Sequence, residues 1–287
     1  LVIWLLLLTI WEGAYRTLHK PDDPQHDLWP PVVFPAPSHV LDATLYMLGF
    51  STGFGEPLHP GWPHATEPPN ENAPAIHRLV HSQLISANII SAVRLVVGFA
   101  ISLLLGALLG VAMWRFISVD EFLGPLFLGL QTLPSVCWVP LAILLLGLDE
   151  SGILFVVVMG SAFGVAISMR DGLRTIPPLY RRAGQMLGAR GWRLYRYVLL
   201  PAALPAVSSS LRQGFSFAWR SLMGAELILP AYNHGLGYLL NAGEVNSSVA
   251  QVVAVIIIMV IIGMLADRFA FAPLEKRVHA RFGLAVG

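Results

Sequence analysis

The sequence predicts an all-α polytopic membrane protein with six transmembrane helices. Three observations carry that prediction. Charged residues make up only 12% of the 287-residue chain. Mean hydropathy is +0.66. Charge-free runs such as LLLGALLGVAM and VVAVIIIMVIIGMLA recur along its length. A soluble chain of this size needs a charged skin, whereas a hydrocarbon core of roughly 30 Å needs helices of about 20 apolar residues. Outer-membrane barrels are excluded, because their strands alternate weakly in short segments. A net charge of +1 identifies no partner class, and nothing in the chain calls for nucleic acid.

The six spans follow in order. The first covers residues 1–15; it starts abruptly at Leu1, reaches Glu12 too soon to span alone, and leads us to expect further sequence upstream. It lacks the basic start and small-residue cleavage site of a signal peptide. The others run over about 85–114, 122–148, 152–169, 203–229 and 249–266. The domain plan is therefore residues 1–15 as first span, 16–84 as an outer segment, 85–266 as a five-helix core, and 267–287 as a basic tail. Cys137 is the single cysteine and reads as a small packing residue inside the third span.

Orientation follows from the basic residues. Residues 170–196 hold seven arginines against one acid, Asp171, and the tail carries Arg268, Lys276, Arg277 and Arg281. Both belong in the cytoplasm, which places both termini inside and residues 16–84 outside. That outer segment begins with a proline-rich approach to a short amphipathic helix, for which Ser38 is the expected N-cap. A Gly/Pro-rich loop over about 50–75 follows and cannot build a core. Seven of nine histidines fall between His19 and His81, but their spacing fits no recognised zinc pattern, so no metal site is assigned.

The stretch RRAGQMLGARGWRLYRYVLLPAALP, residues 181–205, is the most informative. TIPPLY offers Thr175 as a cap and prolines at the first helical turn. A helix to about Leu187 then stops at Gly188, a natural left-handed position. Leu179, Ala183, Met186 and Leu187 share one face at spacings of three and four. Arg181, Arg182 and Gln185 lie off it. A second short helix follows Gly191, with Trp192, Tyr195 and Leu199 aligned and Pro201 closing it. On composition alone, a basic loop gripping acidic headgroups stands slightly ahead.

The fifth span carries a polar stripe: Ser209, Arg212, Ser216 and Arg220 follow steps of three and four on one face. Ionisable groups in a span are functional candidates by default. A guanidinium fork suits a small oxyanion. An ion pair between helices is the structural alternative for either arginine. Gln131 and Ser135 in the third span could join the pathway, between Pro134 and Pro140, which read as kink points. Arg94 and Glu226 form a candidate structural ion pair.

The order of residues in this loop closely resembles the cytoplasmic signature loop of ABC importer permeases, whose core reads E-A-A, then G, then L-P. Ala183 and Gly184 stand at the two alanines, Gly188 at the glycine, and Leu200 and Pro201 at the closing pair; Arg182 replaces the usual glutamate. VFPAPSHV, AVRLVVGFAISLLLGALLGVAM, LQTLPSVCWVPLAILLLG and AELILPAYNHGLGYLL look like the nitrate/sulfonate/taurine/bicarbonate branch. The 50–75 loop looks like an insertion relative to it. The resemblance implies a type I ABC importer permease fold in which residues 170–202 form the cytoplasmic coupling helix. Leu179, Arg182, Ala183, Gly184, Met186, Leu187, Gly188, Arg190 and Pro201 would couple it to the ATPase. It further implies a homodimer, two ATPase subunits, an extracytoplasmic solute-binding protein, and residence in the bacterial inner membrane. ATP and Mg would be bound by the partner subunit, with no cofactor in this chain. In agreement, the sequence contains no G-x-x-x-x-G-K-[ST] phosphate loop; its two lysines, Lys20 and Lys276, follow no such glycine run.

The alternative function is a stand-alone ion-coupled carrier, although no paired interrupted helices in two related halves are evident. A membrane enzyme finds no H-E-x-x-H motif and no histidine inside the spans.

Overall fold

Helices with short turns between them make up the described elements in the computed structural model, which describes residues 2–18, 35–50, 82–229 and 234–281. The 50–75 loop, every histidine between His19 and His81 except His39, and the end of the tail lie outside the described residues. The helices are α1 (Val2–Leu18), α2 (Pro37–Met47), α3 (Gln83–Arg115), α4 (Ile117–Thr132), α5 (Val139–Leu146) and α6 (Glu150–Arg174), then α7 (Pro178–Met186), α8 (Trp192–Leu194), α9 (Leu200–Ile228), α10 (Leu236–Val245), α11 (Val249–Ala266) and α12 (Ala272–Arg281).

Among them, α3, α6 and the continuous run Val249–Val278 are each long and apolar enough to cross a membrane, and the bent pair α4–α5 makes a fourth candidate. Helix α1 is 17 residues, somewhat short for a bilayer. Helix α9 has the length, at 29 residues, but Arg212, Gln213, Arg220 and Glu226 interrupt its apolar character.

The third expected span is broken. Leu133 precedes a proline and is driven into extended backbone, with ψ of 130°. A 3₁₀ turn over Ser135–Trp138 follows, and Pro140 sits in the first turn of α5. The two halves meet at 103°. Cys137 lies on that turn and is exposed, which corrects its assignment as a packing residue. Two caps also differ from expectation. Ala36, not Ser38, precedes α2, because Pro37 at the first helical position presets the backbone. Thr175 closes α6 rather than opening α7, whose N-cap is Pro177.

The chain forms two compact units. In the first, residues 1–92 with 226–261, α1 meets α2. The Tyr15 and His39 rings stand edge-on at 5.4 Å, and Glu12 accepts from Arg16 Nε at 2.9 Å and from the Ser38 amide at 3.3 Å. Glu226, 2% exposed, accepts from Ser91 Oγ at 2.7 Å and from the Gly237 amide at 3.1 Å. Ser91 Oγ also accepts from the Leu236 amide at 2.9 Å, so the first turn of α10 is held by this pair of side chains.

The second unit, residues 93–225 with 262–287, is organised on α6, whose Val156, Val157, Val165 and Ala166 are fully buried. Helix α3 presents Gly98, Ser102, Gly106 and Gly110 at steps of four. Methyl groups added at the glycines would fall within 2.7 Å of Val157, 2.7 Å of Val165 and 2.6 Å of the Ala166 carbonyl. Small residues let the two backbones approach, and Ser161 Oγ reaches Ser102 Oγ at 2.7 Å within that seam. Met113, Phe127, Ala166 and Ile167 pack α3 and α4 onto α6. Phe99, Phe215 and Phe271 form an aromatic cluster with centroids 4.6–6.4 Å apart.

Candidate functional site

Between α6 and α9 the chain makes a tight hairpin. Pro177 and Pro178 start α7 where missing amides cost nothing. Its end is a Schellman motif: the Gly188 amide donates to the Gln185 carbonyl at 3.0 Å and the Ala189 amide to the Gly184 carbonyl at 2.9 Å. Gly188 takes φ of +81° and Gly191 takes +53°, so glycine is required by the backbone at both turns.

The return leg is not the closed short helix expected. Helix α8 passes into a π turn over Tyr195–Leu199 and then into α9, so Pro201 lies in the first turn of a long helix. The wider turn ahead of Pro201 removes the carbonyl clash that would otherwise break the helix. The return leg of the hairpin and α9 thus run on without a break.

The hairpin has its own small core. Gly184 is buried, and a methyl group there would meet Leu194 Cδ1 at 2.8 Å and Val198 Cγ2 at 3.0 Å. Outward, Leu179 (71% exposed), Met186 (90%), Leu187 (88%) and Trp192 (78%) form an uncovered apolar crest. Ala183 is exposed with them; Arg181, Arg182, Arg190 and Arg193 surround the crest, all exposed. This is a short, charged-rimmed element rather than a lipid-facing span, and among the described residues its large apolar groups stay exposed.

The root of the hairpin is clamped. Asp120, in the first turn of α4, accepts from Arg170 Nη1 at 3.1 Å and from Arg174 Nη2 at 2.6 Å, both in the last two turns of α6. Arg170 Nε also donates to Asp171 at 2.8 Å.

Along α9 the polar stripe resolves into unlike parts. Arg212 forks onto Asp267 at 2.6 and 2.7 Å and reaches Glu275 at 2.9 Å. Ser209 Oγ donates to the same Glu275 at 3.1 Å. Arg212 therefore has the geometry of an interhelical ion pair. Arg220 is exposed; its Nε donates to the Ser216 carbonyl at 3.1 Å and its guanidinium lies 5.0 Å from the Phe217 ring centre. Among the described residues, no carboxylate is recorded against it. Ser216 Oγ is turned back onto the Arg212 carbonyl at 3.2 Å.

Gln131 and Ser135 flank the break in α4–α5. Gln131 Oε1 is buried with no hydrogen-bond partner among the described residues. Ser135 Cβ lies 2.9 Å from where a methyl on Gly160 would stand. Arg94 is buried and forks onto Glu150 through Nε at 2.6 Å and Nη2 at 2.5 Å. Sequence reasoning did not assign Asp120, Glu150, Asp267 or Glu275. Each is paired across 50 or more residues, and only the acids' placement in first helical turns hinted at a role.

Residues 102–279 match the family of binding-protein-dependent transport system inner membrane components. An ABC transporter permease protein of Methanocaldococcus jannaschii is 33% identical over 64% of this chain and 69% of its own length. The nitrate import permease protein NrtB of Synechocystis is 28% identical over 66% and 67%. The bicarbonate transport system permease protein CmpB of Synechococcus elongatus is 26% identical over 63% and 65%. The chain spans about two thirds of the length of these relatives. It belongs to the inner-membrane component family of binding-protein-dependent transport systems. It is an ABC transporter permease, a multi-pass inner-membrane protein of the branch that includes nitrate and bicarbonate permeases.

Proposed function

We propose that this permease is the membrane-spanning subunit of an ATP-driven importer, with the hairpin as its docking element. The carrying observation is the uncovered crest of Leu179, Met186, Leu187 and Trp192 on a hairpin whose return leg runs on into α9. Covering side chains of this size contributes roughly 1.5–3 kcal/mol each, which favours a partner seated over the crest. The arginines around it suit an acidic rim on an ATPase subunit.

In this reading the chain has six spans with both termini in the cytoplasm, pairs with a second copy, rests on two ATPase subunits, and receives solute from an extracytoplasmic binding protein. ATP and Mg are held by the ATPase subunits. ATP binding draws the hairpins together and opens the pathway outward; hydrolysis resets it. Arg220 faces the pathway and its two unused Nη groups read a small oxyanion. The relatives named for nitrate and bicarbonate support an anionic solute.

The test replaces Ala183 and Leu187 by aspartate in the complex with its ATPase. We expect stimulation of ATPase by loaded binding protein to be lost. Undiminished stimulation contradicts docking through the crest. The competing reading, an ion-coupled carrier, predicts uptake into liposomes holding this chain alone, without ATP.

A further inference from the structure

We propose that Asp120 is a positioning residue that gives the hairpin a second mechanical output, onto the broken helix pair α4–α5, beside its covalent output into α9. The inference rests on the docking reading above. Three observations carry it.

First, the Asp120–Arg170 arm of the clamp is built into the molecule, and Arg174, with its side chain 44% exposed, joins it from the surface. The Asp120 side chain is 12% exposed and that of Arg170 10%. A methyl group on Gly124, one turn beyond Asp120, would meet Arg170 Nη1 at 2.9 Å, so a glycine is what lets the guanidinium lie across α4. One carboxylate holding two guanidiniums fixes both position and direction.

Second, the clamp sits at the hairpin's root. Arg174 is the last residue of α6, and the prolines that start α7 follow within four positions. Prolines restrict the intervening backbone, so displacement of the hairpin reaches Arg174 with little slack. Asp120 passes it to the first turn of α4.

Third, the end of α4 bears on two helices at once through close side-chain contacts, although no residue of the turn is fully buried. The 3₁₀ turn after it packs into a seam between α6 and α9. Ser135 Cβ and the Ser221 side chain both crowd the bare face of Gly160, and Val136 Cγ2 stands 3.0 Å from where a methyl on Gly224 would be. Close-packed contacts of this kind switch between arrangements rather than deform. Movement of the root thus shifts the break against α9 while the hairpin moves α9 itself.

Cys137, the single cysteine of the chain, is exposed on that turn and reports on it directly. The experiment uses the permease assembled with its ATPase in nanodiscs, a spin label on Cys137, and ATP with Mg as the perturbant. A second probe carries Cys137→Ala and Leu204→Cys, placing the label on α9. In the unaltered assembly both labels change their collision rate with a water-soluble relaxant on ATP binding. With Asp120→Asn we expect the Cys137 response to fall about tenfold, an ordinary size for coupling between sites, while the Leu204→Cys response persists. An unchanged Cys137 response overturns the proposal. Loss at both probes also overturns it, since Asp120 would then be needed only to seat the hairpin. Should Asp120→Asn fail to assemble, Arg174→Gln removes the 2.6 Å contact, leaves the Arg170 contact, and is read in the same way. No response at either probe in the unaltered assembly contradicts docking itself.

Discussion

Arg212 and Arg220 stand eight residues apart on one face of α9, yet their surroundings divide them. Arg212 spends all three guanidinium nitrogens on Asp267 and Glu275. Arg220 spends one, on a backbone carbonyl. A guanidinium stays charged at any physiological pH, so within a span it needs water or an anion beside it. Replacing Arg220 by alanine should raise KM for an anionic solute about tenfold, the loss of one charge-assisted hydrogen-bond pair, with ATPase docking intact. Vesicle uptake measures this, and an unaltered KM and rate remove Arg220 from the pathway. The stripe was legible from its spacing, but the division within it was not. Asp267 and Glu275 lie 55 and 63 residues downstream of Arg212, and no local pattern announces a partner at that separation.

At the scale of elements, what could be read from the chain was whatever local chemistry dictates. Gly188 ends α7 in the left-handed turn its position required, and Pro134 marks the break that a proline imposes on the residue before it. Pro201 misled because its tolerance depends on the π turn just upstream, a backbone adjustment that residue order does not announce. Ser38 misled because Pro37 at the first helical position moved the N-cap two positions back, to Ala36. The α3–α6 seam is a consequence of glycine spacing that packing alone makes legible. A methyl on Gly106 would meet the Ala162 carbonyl at 2.8 Å, and backbone cannot step aside. At Gly184 the nearest atom is the tip of a leucine, which can. Gly106→Ala should therefore destabilise by about 1–3 kcal/mol, as overpacking does, and Gly184→Ala by clearly less. Thermal unfolding in detergent compares the two; equal losses would mean that the seam is looser than its geometry states.

For the whole molecule, the account turns on force entering at one exposed crest and leaving through α9 and α4. The 287 residues contain no G-x-x-x-x-G-K-[ST] phosphate loop, and in the proposed function the work comes from an ATPase subunit. The crest is large, apolar and rimmed by arginines, and it lies on a hairpin that starts with two prolines, turns at two left-handed glycines and has an ion-paired root. A membrane-surface role for the same loop would place the crest in lipid headgroups instead, with no need for rigidity. The most direct discrimination is site-specific crosslinking. A photoreactive residue is placed at Leu187 and, in a second preparation, at Met186, in cells that also make the ATPase subunit with which this permease assembles. We predict one dominant adduct with the ATPase subunit at both positions, strengthened by ATP. Adducts confined to lipid, with the ATPase untouched at both positions, would contradict the account.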